Sequence, residues 1–361
     1  MRRETSEYLQ RVYEAIWTSL GAPPDEAEIY ARCFVKADLA GKETQGIACI
    51  PLVYPWVRRG GIEFGRPIKV LKEGAGFALI DGQRGPGQVV CTKAMQIAIE
   101  KARTAAVASV WVRNSNDFTM ASNYSTMALE HDYFGLAMSN GVPLVAPWGG
   151  RDPVFNTSPL SFAVPAGAEK PIVFDGAMSA VSHGHAVLAA REQRRMPGSP
   201  LVGDDGRITD DPVPLIADPF DRNSPQRGAI RALGAKGFAW LILVEVLSGI
   251  MSGGAPAPEI PFDQSAEMPW TGGMFLMAID VGRLVDIDAF KAKVDGMIRN
   301  CKTSRLAEGF SEIVLPGEWA QREAERRARD GVPLRDEDWA SIVRIAGEVG
   351  VDLDALRSGA R

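Results

Sequence analysis

The chain predicts an α+β fold in which a central β-rich region is framed by helices from both ends. Three observations carry that reading. Apolar residues recur at helical spacing through the first 60 residues. The middle of the chain breaks into short β-branched runs punctuated by glycine, proline and asparagine, as strands are. The C-terminal quarter then returns to amphipathic and charged helical patterns.

Taken in order, Leu9, Val12, Ile16 and Leu20 share one helical face, and Gly21 stops that helix. Pro23-Pro24-Asp25-Glu26 opens a second helix through Ile29, Cys33 and Phe34 to about Leu39. Residues 45–60 continue as a third, broken by Gly60-Gly61. Strands are expected at Phe77–Ile80, Val107–Val112, Phe134–Met138, Phe162–Val164 and Ile172–Phe174. Helices Thr92–Ala105 and roughly Met120–Glu130 interrupt them. From Met196 to Arg227 the chain is rich in Pro, Gly and Asp without periodicity, which reads as a long surface excursion. Phe238–Gly249 reads as a buried helix, Gly253–Pro269 as a loop and Met274–Ile279 as a buried strand. Asp288–Asn300, Glu318–Arg329 and Asp336–Gly350 are the closing helices. The implied division is a helical unit (1–75 with 285–361) and a sheet unit (76–284), with a loop-rich excursion at 196–230.

Composition bounds the partners. The 361 residues are 46% hydrophobic and 24% charged, enough apolar material for a sizeable core. Lys+Arg 40 against Asp+Glu 45 gives a net charge of −5, and no basic block offers nucleic acid a footprint. The longest apolar stretch, Phe238 to Val244, ends at Glu245, far short of the ~20 residues of a membrane span. Met1-Arg2-Arg3-Glu4 runs straight into an amphipathic pattern, so no export signal is expected. Cys33, Cys49, Cys91 and Cys301 lie far apart and read as reduced thiols in the cytoplasm.

Four motifs invite chemistry. Gly82 to Val90 sits between strand and helix as a dinucleotide turn must, but Val90 takes the third glycine's place and no ribose-binding acid follows. Gly85 and Gly87 are therefore expected to be turn glycines at positive φ. His183-Gly184-His185 has metal-like spacing without companions, so a structural or surface role is expected and no metal site. Asn114-Ser115-Asn116-Asp117 suits a helix cap, yet it could also point the Asp117 carboxylate into a cleft. Gly234-Ala235-Lys236-Gly237 combines a cation with glycine-permitted close approach, either a phosphate site or an exposed turn.

Together these segments resemble the type-2 malate/L-lactate dehydrogenase family, whose members include ureidoglycolate and sulfolactate dehydrogenases and Δ1-piperideine-2-carboxylate reductase. The matching pieces keep family order across nearly the whole chain. They are Ala37-Asp38-Leu39 with Gly46-Ile47, Asp81-Gly82 through Gly87-Gln88-Val89-Val90, and Val112-Arg113-Asn114-Ser115-Asn116. Leu144 to Gly150, which contains Pro-Trp-Gly-Gly, follows, then Asn156-Thr157, Asp175, Lys236-Gly237, Ala278-Ile279-Asp280 and Leu315-Pro316-Gly317-Glu318. The resemblance implies a non-Rossmann, largely antiparallel sheet that binds NAD or NADP, flanked by N- and C-terminal helices, in a homodimer. It maps cofactor contacts onto Asn140, Gly141, Asp175, Gly176, Ala177, Lys236, Gly237, Pro316, Gly317 and Glu318.

Against that family the catalytic positions diverge. The family's Ser-His-Gly appears as Thr44-Gln45-Gly46, and its substrate-clamping arginine as Cys49. The histidine of Asn-His-Phe-Gly is Asp117, and that of Gly-His-Phe-Phe is Met274. Glutamine cannot deliver a proton near neutrality, and cysteine cannot replace a guanidinium fork. The expectation is an NAD(P)-dependent oxidoreductase acting on a C=O or C=N carbon of a small molecule other than a simple 2-keto acid. Asp117 would handle the proton while Thr44 and Gln45 bond the substrate heteroatom. The competing expectation is a non-redox enzyme, lyase-like, or a dinucleotide-binding protein on the same fold.

Overall fold

The computed structural model describes residues 2–213 and 227–358. At the N-terminus, β1 (Arg2–Glu4) leads into α1 (Ser6–Ser19), where the Thr5 hydroxyl accepts the Tyr8 N–H at 3.1 Å. One face of α1 buries Leu9, Val12, Tyr13, Ile16 and Trp17 completely, the spacing that makes an amphipathic helix. Helix α2 (Pro24–Leu39) starts with proline at its first turn, where a missing N–H costs nothing. Two 3₁₀ turns, Glu43–Gln45 and Ile47–Cys49, then feed α3 (Ile50–Arg58). This helical core is completed from the far end of the chain. There β13 (Val332–Leu334) pairs with β1, and α10 (Asp336–Glu348) supplies Trp339, Ile342 and Ile345. The short α11 (Leu353–Ser358) follows.

The central sheet has seven strands: β2 (Lys69–Gly74), β3 (Phe77–Asp81), β4 (Val107–Arg113), β5 (Tyr133–Ser139), β7 (Leu160–Val164), β8 (Ile172–Gly176) and β12 (Gly273–Asp280). Their spatial order is β2-β3-β4-β12-β5-β7-β8. Only β3 and β4 run parallel, joined by α4 (Gly87–Ala105) as the crossover that such a pair requires. The sheet is thus largely antiparallel, with β12 inserted at its centre. A smaller sheet, β10-β9-β11-β6, is made of β6 (Val145–Ala146), β9 (Leu201–Val202), β10 (Ile208–Thr209) and β11 (Ala229–Arg231). Helices α5 (Ser122–Ser125), α6 (His183–Arg191) and α7 (Gly234–Val244) border the two sheets. Helix α8 (Ile287–Lys302) packs Val294 and Ile298 on Ile172, and α9 (Glu318–Asp330) leads to β13.

Several expectations change. The excursion from Met196 is partly ordered into β9 and β10, while its residues 214–226 lie outside the described residues. The helix expected at Met120–Glu130 becomes the four residues of α5 and a 3₁₀ stretch, Thr126–His131. The apolar helix does not stop at Glu245: it continues through a π-helical turn, Glu245–Gly249, to Ser252. That makes a 19-residue apolar helix, long enough by length and composition to cross a membrane, and only a third of it is buried. Glu245 is no break because it turns inward, accepting the Asn140 amide at 3.0 Å and the Ala257 N–H at 2.7 Å. The opposite face leaves Trp240, Leu243, Val246 and Ile250 exposed, so the helix expected to be buried is buried on one side only.

Candidate active site

The C-terminal end of β8 gathers most of the residues singled out in the sequence. The Val173 N–H donates to the Pro316 carbonyl at 3.2 Å, which lays Leu315 to Glu318 alongside the strand. Gly317 sits there at φ +93°, and a Cβ on it would stand 2.5 Å from the Val173 oxygen. Beyond the strand, the Met178 carbonyl accepts the Leu233 N–H at 3.1 Å, so the first turn of α7 abuts the segment after Ala177. Gly237 meets the same carbonyl, 3.0 Å from where its Cβ would lie. Lys236 stands exposed on this turn, and α7 carries no capping side chain over its first N–H groups. Asp175, Gly176, Ala177, Lys236, Gly237, Pro316 and Gly317 are therefore brought together as one wall.

Asp175 ties that wall to the turn holding Thr44 and Gln45. Its Oδ2 accepts both the N–H and the hydroxyl of Ser122, at 3.0 and 2.5 Å, and pairs with Lys42 Nζ at 3.1 Å. Lys42 also donates to the Asp175 carbonyl at 3.2 Å. Two residues on, Thr44 packs against the start of α6, where a Cβ on Gly184 would stand 2.6 Å from the Thr44 Cβ. Only glycine lets helix and turn approach this closely.

Beneath the turn lies Asp38, fully buried. One carboxyl oxygen accepts the Ile47 N–H at 2.8 Å and the other the Tyr13 hydroxyl at 3.0 Å. Burial pushes this carboxyl up to about 8, against the pull of those two donors. Arg327 of α9 donates to the Asp38 carbonyl at 2.8 Å and pairs with Glu43, fastening the turn from the other side.

The Asn114–Asp117 segment ends β4 and is built from side-chain bonds. Asn114 takes φ +53° and donates to Asp81 at 3.0 Å, Ser115 donates to the Gly85 carbonyl at 3.1 Å, and Asn116 to the Gly61 carbonyl at 3.1 Å. Asp117 Oδ1 accepts the Thr119 N–H at 2.8 Å, an Asx turn and not a helix cap. The group that caps the start of α5 is Asp175. Burial raises the Asp117 carboxyl above its ordinary range, and only the Thr119 N–H opposes that shift. Asp117 and Cys49 both lie within electrostatic reach of the buried Tyr30. Around this loop, both amide atoms of the fully buried Gln88 and the hydroxyl of Thr119 have no hydrogen-bond partner. No hydrogen bond among the described residues joins Asp117 to Thr44 or Gln45.

Other expectations are corrected. Gly85 and Gly87 do not take positive φ; Gln83 and Arg84 do. Glycine is needed at 87 because a Cβ there would overlap the Asn116 and Asp117 carbonyls. Asn140 is not free to touch a cofactor through its side chain. Its amide nitrogen donates to Glu245 and the Ala255 carbonyl, and its oxygen accepts the Gly273 N–H at 2.8 Å. Gly141 is buried against Asn156. Glu318 closes its own turn, accepting the Leu315 N–H at 3.1 Å and pairing with Lys302 at 2.5 Å. Burial raises its carboxyl, but these donors outweigh that and hold it below the ordinary range. His185 shares a hydrogen bond with the Ser182 hydroxyl at 2.7 Å, and no group of three metal-ligating residues occurs among the described residues. Sequence reasoning missed Lys42 and Ser122, which meet Asp175 only because three distant segments converge.

Comparison with known proteins agrees with this architecture. Residues 5–343 match the model of the malate/L-lactate dehydrogenase family. A malate dehydrogenase of Pyrococcus abyssi is 34% identical over 93% of this chain and 92% of its own length. The solved sulfolactate dehydrogenase of Methanocaldococcus jannaschii superposes with a TM-score of 0.88 at 31% identity, covering 98% of this chain and 99% of that one. Delta1-piperideine-2-carboxylate reductase from Pseudomonas syringae pv. tomato gives 0.83 at 28% identity, over 96% of this chain and 100% of that one. A seven-stranded antiparallel sheet with one parallel pair, helices donated by both chain ends and a full-length match together place this chain in the malate/L-lactate dehydrogenase family of oxidoreductases.

Proposed function

We propose that the protein is an NAD- or NADP-dependent oxidoreductase acting on a C=O or C=N carbon of a small substrate other than a simple 2-keto acid. The observation that carries this reading is Asp117: a carboxyl raised by burial, held by a single backbone donor, in a loop lined with orphaned polar atoms. The wall at the end of β8 fits a dinucleotide. An exposed lysine lies in the first turn of a helix that carries no capping side chain, and glycines at 237 and 317 permit close backbone approach. Lys236 would hold a phosphate, with Asp175–Ala177 and Pro316-Gly317 lining the remainder. When bound, the dinucleotide supplies hydride exchange at nicotinamide C4.

The chain's own residues account for the rest. Asp117, protonated below its raised pKa, gives a proton to the substrate heteroatom in reduction and takes it back in oxidation. Thr44 and Gln45 orient that heteroatom by hydrogen bonds. Gln45 does not titrate, which leaves the proton to Asp117, and Cys49 offers no bidentate fork, so the carboxylate of a 2-keto acid finds no clamp here. A buried carboxylate favours an iminium or amine over an anion. That the Pseudomonas relative is named as a reductase of a cyclic imine carboxylate supports the C=N option. The half-exposed apolar stripe of α7 suits a second copy of the chain, and we place the homodimer in the cytoplasm.

The test is a screen of keto acids, cyclic imines and neutral ketones with NADH and NADPH, read at the nicotinamide absorbance. On the substrate found, Asp117→Asn should lower turnover by ~10²–10⁴-fold with folding intact. The reduction rate of the parent should fall as pH rises through the Asp117 pKa, and the variant should lose that limb. Full turnover with an unchanged pH profile refutes the assignment, and failure of either dinucleotide to bind refutes the oxidoreductase reading.

A further inference from the structure

A cavity of about 550 Å³ opens between α2, α4 and the 3₁₀ stretch that follows α5. Its size falls within the range of small-molecule sites. Its charges are unevenly spent. Arg32 pairs with Glu28 at 2.7 Å and Arg103 with Glu100 at 3.3 Å. Lys36 and Glu130 remain without an ion-pair partner among the described residues. They line the same cavity and act on each other electrostatically. Lys36 spends one donor on the Thr126 hydroxyl at 2.8 Å and keeps two. Asn123, 6% exposed, forms part of the wall with its carbonyl oxygen unpartnered, while its nitrogen faces the Cys33 carbonyl at 3.4 Å. Ile99 and Met127 supply an apolar side.

We infer that this cavity binds a free α-amino acid with an apolar side chain. The carboxylate meets Lys36, the ammonium meets Glu130, and the side chain lies on Ile99 and Met127. A carboxylate alone leaves Glu130 unanswered, and an amine alone leaves Lys36 unanswered. The site is separate from the β8 wall yet wired to it. Thr126, which holds Lys36, donates to the Ser122 carbonyl at 2.6 Å, and Ser122 donates to Asp175. An occupant that draws Lys36 away from Thr126 therefore acts on the helix turn that Asp175 caps.

The inference does not rest on the proposed reaction, and its test reads binding, not turnover. Titrate L-leucine into the full chain by calorimetry, alone and with saturating NADH, beside 4-methylpentanoate and isopentylamine. L-leucine should bind at millimolar concentration or below, both with and without NADH, and each half-analogue at least about tenfold more weakly. Lys36→Met and Glu130→Gln should each weaken L-leucine by about tenfold or more, with melting temperatures unchanged. Absence of L-leucine binding overturns the inference, as it would if a partner subunit covered the cavity. So does equal binding of either half-analogue, competition with NADH, or unaltered affinity in both variants.

Discussion

Replacing Asp38 by asparagine should make the protein more tolerant of alkaline pH, and the size of the effect follows from burial. In the unfolded chain this carboxyl titrates near 3.8, whereas in the fold burial pushes it to about 8. As pH climbs, the unfolded state releases the proton first, so native stability falls progressively between about pH 4 and pH 8 and then levels off. Each pH unit between those limits removes about 1.4 kcal/mol, so the full loss is about 6 kcal/mol, a large part of a typical domain's stability. Asparagine keeps the shape, accepts the Ile47 N–H through its oxygen and can donate to Tyr13 through its nitrogen, so both bonds of the buried site survive. The stability of Asp38→Asn relative to the parent should therefore rise by about 1.4 kcal/mol per pH unit across that window. Urea midpoints at several pH values, with slopes checked for constancy, measure it. A stability difference independent of pH would show that Asp38 is an ordinary ionised carboxylate and that the turn bearing Thr44 and Gln45 rests on something else.

Lys236→Ala should weaken dinucleotide binding by about 1.5–3 kcal/mol, the worth of a charge-assisted contact, as read by calorimetry, and leave melting unchanged. Gly317→Ala should destabilise by about 2–4 kcal/mol, because it adds a left-handed alanine to a contact with the Val173 carbonyl; thermal melting measures it. Trp240→Glu should weaken self-association by at least ~100-fold in sedimentation equilibrium, since it sets a charge on the apolar stripe of α7. Unchanged assembly in that variant would send the dimer interface elsewhere.

The strands of the central sheet that carry β-branched runs are legible in the sequence because a half-buried pleat selects for them. β2 is not, since Lys69-Val70-Leu71-Lys72-Glu73-Gly74 is an exposed edge strand with no apolar face to give it away. α5 falls short of its expected length where Thr126 bonds back to Ser122 and Ser125 to Ser161, hydroxyl contacts that no periodicity reveals. The apolar sequence of α7 announces burial without saying against what, and hydropathy alone cannot separate a core face from an association face. The glycines at 237 and 317 and the lysine at 236 are readable as a phosphate-type turn or through family resemblance. Asn140 shows the limit of matching, because a matched position carries no information about where its side chain's hydrogen bonds already go. Lys42 and Ser122 leave no signal, since their partner Asp175 is remote in sequence and near only in the fold.

The knitting of the two chain ends has a consequence for biosynthesis. Tyr8 donates to the Leu353 carbonyl across a separation of 345 residues, and among the described residues β1 pairs with β13 alone. Helix α1 therefore carries Tyr13, Ile16 and Trp17 on a face whose cover from Trp339 and Ile342 is translated much later. During most of synthesis that surface must wait, either loosely collapsed on itself or shielded by a chaperone, while the sheet assembles behind it. Such long-range closure makes folding slow and leaves the last step vulnerable to truncation. A nascent chain released before β13 would carry every residue of the β8 wall and still lack the strand that locks its opening helices in place.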